Sequence, residues 1–297
     1  MKILITGSNG LLGQAITSIF TRESEFELIQ TSYEEKAYLE YGHPYQTLDI
    51  TKKEDVKRIV DFYMPDVIVN CAAFTEVDKC ESERELSWRI NVDGVKNLII
   101  AARRINSKMV HYSTDYIFDG KNGPYTEESV PNPISFYGRG KLASENALIT
   151  SDANFAIIRT LVLYGIGNNV KPNFALWLID KLRNNEPVNI VTDQISNVTM
   201  IDDLAFGTLK LIEKNLIGIY NIAGSDILSR YDFAMKVCDE FKLNKQLVNQ
   251  ILTSSLNQPA QRPLKSGLTT YKMESELGFK PMDSLEGLRL LKVQLGY

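Results

Sequence analysis

Short β-branched apolar runs alternate with amphipathic stretches along the first half of the chain. KILITG leads into an amphipathic segment at 11–20; FELIQT follows, then 52–63 and DVIVNCAA, 82–105 and KMVHYST, and finally 135–149 and FAIIRT. The apolar runs are nearly continuous rather than alternating, as strands buried on both faces require. Their alternation with helical stretches predicts βαβ units, and hence an α/β fold with a doubly wound parallel sheet and helices on both faces. After Arg159 the rhythm loosens. A helix opens near Pro172 and runs through FALWLIDKL, VNIVTD reads as a short strand, IDDLAFGTLKLIEK as an amphipathic helix, and GIYNIAG as a strand returning to the sheet. From Ser229, SRYDFAMKVCDEF carries a hydroxyl cap and helical periodicity, and the remainder, punctuated by proline, reads as irregular.

The first strand runs into TGSNGLLG, which places glycines at Gly7, Gly10 and Gly13 before the first helix. Gly7 allows the tight turn, Gly10 lets the backbone approach a pyrophosphate, and Gly13 lets helix pack on strand, with the helix N-terminus free to hold the anion. Leu11 and Leu12 belong to the same loop. The loop makes the fold Rossmann-type and divides the chain. A dinucleotide-binding body occupies 1–160, with 187–224 partly returning to it, and a smaller C-terminal substrate lobe is formed by 161–186 and 225–297. The acid that usually follows about 20 residues on, binding the ribose 2′-hydroxyl, is missing where FELIQ ends in Thr31 and Ser32. That leaves room for a 2′-phosphate and points to NADPH with NADH tolerated; alternatively Glu34 or Glu35 folds back.

Composition narrows the chemistry. The chain has 297 residues, 44% of them apolar and 24% charged, enough to bury a real core. A formal charge of −4 and the lack of a basic stripe argue against a nucleic-acid partner. Cys71, Cys80 and Cys238 are odd in number and lack CxxC spacing, which indicates neither disulfides nor zinc and points to a reducing cytoplasm. KILITG directly after Met1 reads as a strand rather than a targeting segment, and no apolar run reaches the ~18 residues of a membrane span. With only His43 and His111, a histidine-rich metal site or a triad hydrolase is disfavoured. His111 reads as a packed strand residue and His43 as a loop residue.

Tyr137 and Lys141, four apart on one helical face, can place an ammonium beneath a phenol. Positive charge from Lys141 and from oxidised nicotinamide is expected to pull the phenol down from about 10, making Tyr137 the proton donor in a carbonyl reduction. Thr114, at the end of KMVHYST, can hydrogen-bond and orient the carbonyl. An exposed Tyr/Lys pair on a helix is the bland alternative. The GxxGxxG spacing resembles the extended branch of the short-chain dehydrogenase/reductase superfamily, and in that branch Asp49 would hydrogen-bond adenine, with Ile50 beside it. A helix cap for TKKEDV is the alternative reading of Asp49.

NCAAFTEVDKCESE (70–83), NVDGVKNL (91–98), HYSTDYIFDG (111–120), PNPISFYGRGKLASE (131–145), DQISNVT (193–199) and RPLKS (262–266) resemble, in order and over nearly the full length, the dTDP-4-dehydrorhamnose reductase family. The resemblance implies NADPH-dependent reduction of the 4-keto group of dTDP-6-deoxy-L-lyxo-4-hexulose to dTDP-L-rhamnose. It further implies that Ala72, Ala73 and Thr75 line the cofactor, that Thr114, Tyr137 and Lys141 surround the reacting carbonyl, that Asp115 supports them, and that Tyr116 touches substrate or nicotinamide. Tyr116 stands where related 4,6-dehydratases carry a Glu, which disfavours dehydration. Asn91 resembles the family's structural Asn, with helix packing as the other reading.

Departures from the family matter too. Leu161 and Val162 replace a Ser and a Trp beside the sugar, which changes the pocket's volume and removes a stacking surface. Ala15 replaces a Glu that holds a divalent metal in some members, so no metal is expected. DQISNVT departs from the commoner DQxGxPT around Gln194. Arg262 offers a planar donor fork to the diphosphate, or is a surface residue. RTLVLYG also resembles the regulatory β subunit of methionine adenosyltransferase, which keeps a non-catalytic binding subunit open, as it does a reductase or epimerase of another nucleotide sugar. A homodimer through 86–105 and 136–149 is compatible with the family; the same residues could instead face the sheet.

Overall fold

The computed structural model describes residues 1–297. The first half runs β1 (Lys2–Thr6), α1 (Leu11–Glu23), β2 (Glu27–Ser32), β3 (Tyr45–Thr47), α2 (Lys53–Tyr63), β4 (Val67–Asn70), α3 (Lys79–Ser82), α4 (Arg84–Trp88), α5 (Val95–Arg104), β5 (Lys108–Thr114), α6 (Phe136–Ile149) and β6 (Phe155–Thr160). The second half adds β7 (Leu163–Tyr164), α7 (Phe174–Arg183), β8 (Val188–Val191), β9 (Ile195–Asn197), β10 (Thr199–Met200), α8 (Ile201–Glu213), β11 (Gly218–Asn221), β12 (Ile227–Ser229), α9 (Arg230–Phe241), β13 (Val248–Ile251), α10 (Tyr271–Leu277) and α11 (Ser284–Gln294).

Seven strands form one sheet in the order β11-β6-β5-β4-β1-β2-β3, and every pairing in it is parallel. The apolar runs supply both layers because successive side chains leave a strand on opposite faces. Ile3 and Ile5 of β1 pack with Ile16 and Phe20 of α1 and Leu204 and Leu211 of α8. Leu4, between them in sequence, packs on the other face with Val56 and Ile59 of α2, Leu98 of α5 and Leu148 of α6. Burying such a side chain stabilises by ~1.5–3 kcal/mol, so the run both forms the strand and glues the layers. Strand order reverses between β1 and β4, and that switch point opens a crevice at the carboxyl ends of the strands, where ligands bind in this architecture.

A second core gathers Leu178, Phe233 and Leu291 from α7, α9 and α11 around Val188 and Val248. Here β8 and β13 pair in parallel, apart from the main sheet. Two expectations are corrected. The helical stretch at 82–105 is not continuous: it is α4 and α5 joined by a π-helical turn at Arg89–Gly94. The C-terminal segment is not irregular, since it contains β13, α10 and α11. Asp283 and Glu286 form a capping box at the start of α11, and Leu288 and Leu291 bury its apolar face. The hydroxyl cap expected at Ser229 is present, reciprocated by Asp232.

Candidate active site

The glycine loop folds as its residue types demand. Gly7 has φ +64°, and a Cβ there would lie 2.7 Å from the Ala72 nitrogen; a Cβ on Gly13 would run into the Gly7 carbonyl. Gly10 is the N-cap of α1, where no side chain caps the helix and no acid occupies the first turn, so the N-terminus is open to an anion.

Two adjoining cavities meet at this loop. One, of about 500 Å3, is lined by Gly10, Leu11, Leu12, Gly13, Ala73 and Thr75 on one side and by Thr114, Asp115, Tyr116, Tyr137, Lys141 and Val162 on the other. The second, of about 260 Å3, is lined by Gly7, Ala72, Asp49, Ile50, Ser32 and Glu34, and shares Gly10 and Ala73 with the first. Every predicted site residue except Arg262 therefore lies on this crevice. Ser113 Oγ and Thr160 Oγ1 are buried without a partner, and both residues line the larger cavity, so polar ligand atoms would be matched there. An open helix N-terminus, a glycine cradle and free hydroxyls fit a dinucleotide.

Thr114 ends β5, and its hydroxyl donates to Asp115 Oδ1 at 3.0 Å while accepting from the Tyr116 amide at 3.2 Å. Ser266, from RPLKS, donates to the other oxygen, Asp115 Oδ2. Burial pushes the Asp115 carboxyl up to about 6, against the pull of Ser266, Thr114 and Arg230. Ser135 caps α6 by accepting from the Gly138 amide, and this presents Tyr137 and Lys141 to the cavity. The rings of Tyr116 and Tyr137 meet edge to face, centroids 5.6 Å apart.

Within the protein alone, without the nicotinamide's positive charge, the Tyr137 phenol is raised. Burial drives it above 10, Asp115 adds to the rise, and the nearby Thr114 hydroxyl opposes it. A desolvated phenol beside a carboxyl group outweighs the ammonium one helical turn away. Burial lowers Lys141 to about 8, with Glu145 pulling the other way.

Glu34 does fold back. Its Oε2 accepts from Ser32 Oγ at 2.5 Å and from Asn9 Nδ2 at 3.2 Å, at the edge of the smaller cavity. Asp49 does not cap α2, whose N-cap is Lys52 without a side-chain bond; its Oδ1 accepts from the Thr51 amide and hydroxyl in the preceding turn, and the residue lines the smaller cavity. Asn91, in the π-helical turn, clamps the Phe74 backbone, accepting from its amide at 2.8 Å and donating to its carbonyl at 2.9 Å. Val162 lines the larger cavity at φ +45°, a strained conformation for a β-branched residue of the kind that gathers at functional sites.

Arg262 lies outside the lining. It pairs with Asp78 at 2.7 Å and holds its guanidinium 6.0 Å from the Tyr116 ring. Gln194 donates to Thr253 Oγ1 at 3.1 Å and lines neither cavity. No group of three or more His, Cys, Asp and Glu side chains is arranged to hold a metal ion.

Sequence reasoning missed four residues behind this wall. Ser266 reaches Asp115. Asn70 and His111 form a buried chain leading to Lys141. Arg159 pairs with Glu145 on α6. Ser266, Asn70 and His111 lay inside motifs already singled out, and an isolated charge in an otherwise apolar strand was the available signal for Arg159.

This glycine loop, parallel sheet and hydroxyl–Tyr–Lys arrangement are the build of an extended short-chain dehydrogenase/reductase. Comparison with known proteins narrows the class. Residues 1–293 match the family described as the RmlD substrate binding domain, and the chain belongs to that family. It is 33% identical over 303 residues to the dTDP-4-dehydrorhamnose reductase of Aggregatibacter actinomycetemcomitans, covering 98% of each chain. The crystal structure of dTDP-4-dehydrorhamnose reductase from Bacillus anthracis in complex with NADP superposes with a TM-score of 0.88 at 31% identity, covering 99% of each chain. Methionine adenosyltransferase 2 subunit beta of Rattus norvegicus is 30% identical over 281 residues, which is 92% of this chain and 82% of that one. No helix is long and apolar enough to cross a membrane.

Proposed function

We propose that the protein reduces the 4-keto group of dTDP-6-deoxy-L-lyxo-4-hexulose to give dTDP-L-rhamnose, using NADPH and tolerating NADH. One observation carries this reading: Thr114, Tyr137 and Lys141 line one cavity with the glycine loop, in a chain matched end to end by named reductases. Residues 1–160 hold the dinucleotide, with 187–224 partly returning to them, and 161–186 with 225–297 form the substrate lobe.

Gly7, Gly10, Leu11, Leu12 and Gly13 take the diphosphate bridge, Asp49, Ile50 and Ala72 the adenosine end, and Ala73 and Thr75 the middle. Bound NADPH supplies the hydride. Tyr137 gives its phenolic proton to the carbonyl oxygen as negative charge develops there. Its raised pKa keeps that proton in place at neutral pH, which suits an acid. Thr114 orients the carbonyl. Ser266 meets one oxygen of Asp115, which lessens that carboxyl's hold on the Thr114 proton. Lys141 holds the ribose and offsets the charge left on Tyr137. Tyr116 and Val162 bound the sugar, and Arg262, already balanced by Asp78, closes over Tyr116. Trp88, Ile100 and Ile149 are exposed on the 86–105 and 136–149 segments, which supports a homodimer through them. The reaction is assigned to the cytoplasm.

The test is to mix the protein with NADPH and the hexulose made in situ, following cofactor oxidation and the sugar formed. Loss of NADPH with dTDP-L-rhamnose appearing supports the reading. The likeness to a methionine adenosyltransferase β subunit, together with Val162 in place of a Trp, favours a second reading, a dinucleotide-binding subunit without turnover. NADPH binding with no reduction of any nucleotide sugar would select it.

A further inference from the structure

A buried polar chain behind the cavity ends on Lys141, and its protons can be assigned from one fixed donor. The Ala72 backbone amide donates to Asn70 Oδ1 at 3.2 Å, and the Thr6 hydroxyl donates to the same oxygen at 2.6 Å. A backbone N–H can only donate, so the Asn70 amide cannot be flipped, and its Nδ2 must be the atom facing His111 Nδ1 at 3.1 Å. Nδ1 therefore accepts and the imidazole proton sits on Nε2. That proton goes to Ser144 Oγ at 3.0 Å, and Ser144 passes its own to the Lys141 carbonyl at 2.7 Å. The chain is closed with every donor used once.

Lys141 Nζ lies 3.4 Å from the same His111 Nε2. An ammonium there meets an N–H rather than a lone pair, and no carboxylate or carbonyl bonds it. The other ionisable groups around α6 do not fill the gap. Glu145 is held by Arg159 of β6, Asp115 by Thr114 and Ser266, and Glu81 by the Phe136 amide, while Arg89, Asp93 and Lys96 beyond them face solvent. Lys141 is 3% exposed, and burial brings it to about 8 against the pull of Glu145.

We propose that His111 is a positioning residue: locked as the Nε2–H tautomer by Asn70, it denies Lys141 an acceptor inside the protein, so the ammonium depends on the dinucleotide ribose and cofactor binding takes up a proton. This rests on the reading of the cavity as a dinucleotide site. Only two histidines occur in the chain, so the imidazole nitrogens can be followed one by one. A lysine whose folded pKa is lowered is neutral above that value, and a ligand that prefers the charged form must protonate it there.

The test pairs 15N NMR of His111 with NADPH affinity measured from pH 6.5 to 10. The wild type should show the Nε2–H tautomer, and the NADPH dissociation constant should be flat below about pH 8 and rise about tenfold per pH unit above it. Asn70→Asp replaces the donor with an acceptor. It should move the proton to Nδ1, offer Nε2 to Lys141, and carry the break to higher pH by at least one unit. If Asn70→Asp does not fold, the wild-type tautomer spectrum and the position of the wild-type break still decide the matter. An Nδ1–H tautomer in the wild type, or a break that stays put in the folded variant, overturns the proposal. Failure to bind NADPH at any pH would instead overturn the dinucleotide reading, leaving the tautomer assignment to stand or fall on the spectrum.

Discussion

The Ser266 hydroxyl donates to Asp115 across 151 residues of chain, tying the C-terminal lobe to the carboxyl edge of the central sheet. Asp115 also receives the Thr114 hydroxyl, so a residue far away in sequence shares a carboxylate with the hydroxyl proposed to orient the carbonyl.

That pairing has a pH signature. Burial raises Asp115 from 3.8 to about 6, so folded Asp115 binds a proton that the unfolded chain has lost. Its stabilising contribution is complete below about 3.8 and is lost as pH rises through about 6. Denaturant unfolding of wild type and Asp115→Asn between pH 4 and 8 should show the wild type gaining relative to the variant as pH falls from about 6 to about 4, with a constant difference at higher pH. Ser266→Ala, which removes a donor from the carboxylate, should extend that window upward. A pH-independent difference would show that Asp115 ionises normally.

Glu34 is expected to influence cofactor choice. Held by Ser32 and Asn9, its carboxylate lies at the adenosine end of the crevice, where the lining includes no Lys or Arg. Glu34→Gln should raise kcat/KM for NADPH relative to NADH by at least about tenfold, since one charge repulsion at ~4 Å lies between ~1 kcal/mol in water and ~4 kcal/mol at effective ε ≈ 20. Steady-state kinetics with both cofactors measure this ratio, and an unchanged ratio would remove Glu34 from the ribose site.

Behind the site, Arg159 and Glu145 form a bidentate pair with side chains 3% and 1% exposed. Removing one partner leaves an uncompensated buried charge. Glu145→Ala should lower the unfolding free energy by about 3–5 kcal/mol. The double change to Arg159→Met and Glu145→Leu should recover most of it. Chemical denaturation of the three variants decides the matter.

The sheet was legible because strands such as KILIT and VIVN are buried on both faces, a pattern few other environments impose. The glycine loop and the Tyr137–Lys141 spacing were legible because local geometry alone brings them together. Contacts between distant segments were not. Nothing near Asp115 announces Ser266, and His111 looks like a packed residue until Asn70 and Lys141 are seen on either side. The break at Arg89–Gly94 escaped because Asn91 is ordinary in a helix until its amide is found clamping the Phe74 backbone. The strand at Val248–Ile251 owes its existence to pairing with Val188–Val191 and carries little signal of its own.

The central claim is that Tyr137 delivers the proton in a ketone reduction. It is tested most directly by comparing wild type and Tyr137→Phe in dTDP-6-deoxy-L-lyxo-4-hexulose reduction, alongside NADPH affinity. The wild type should turn over, the variant should lose ~10²–10⁴-fold, and NADPH binding should be nearly unchanged. Equal turnover by both proteins, or none by a wild type that binds NADPH, would contradict it.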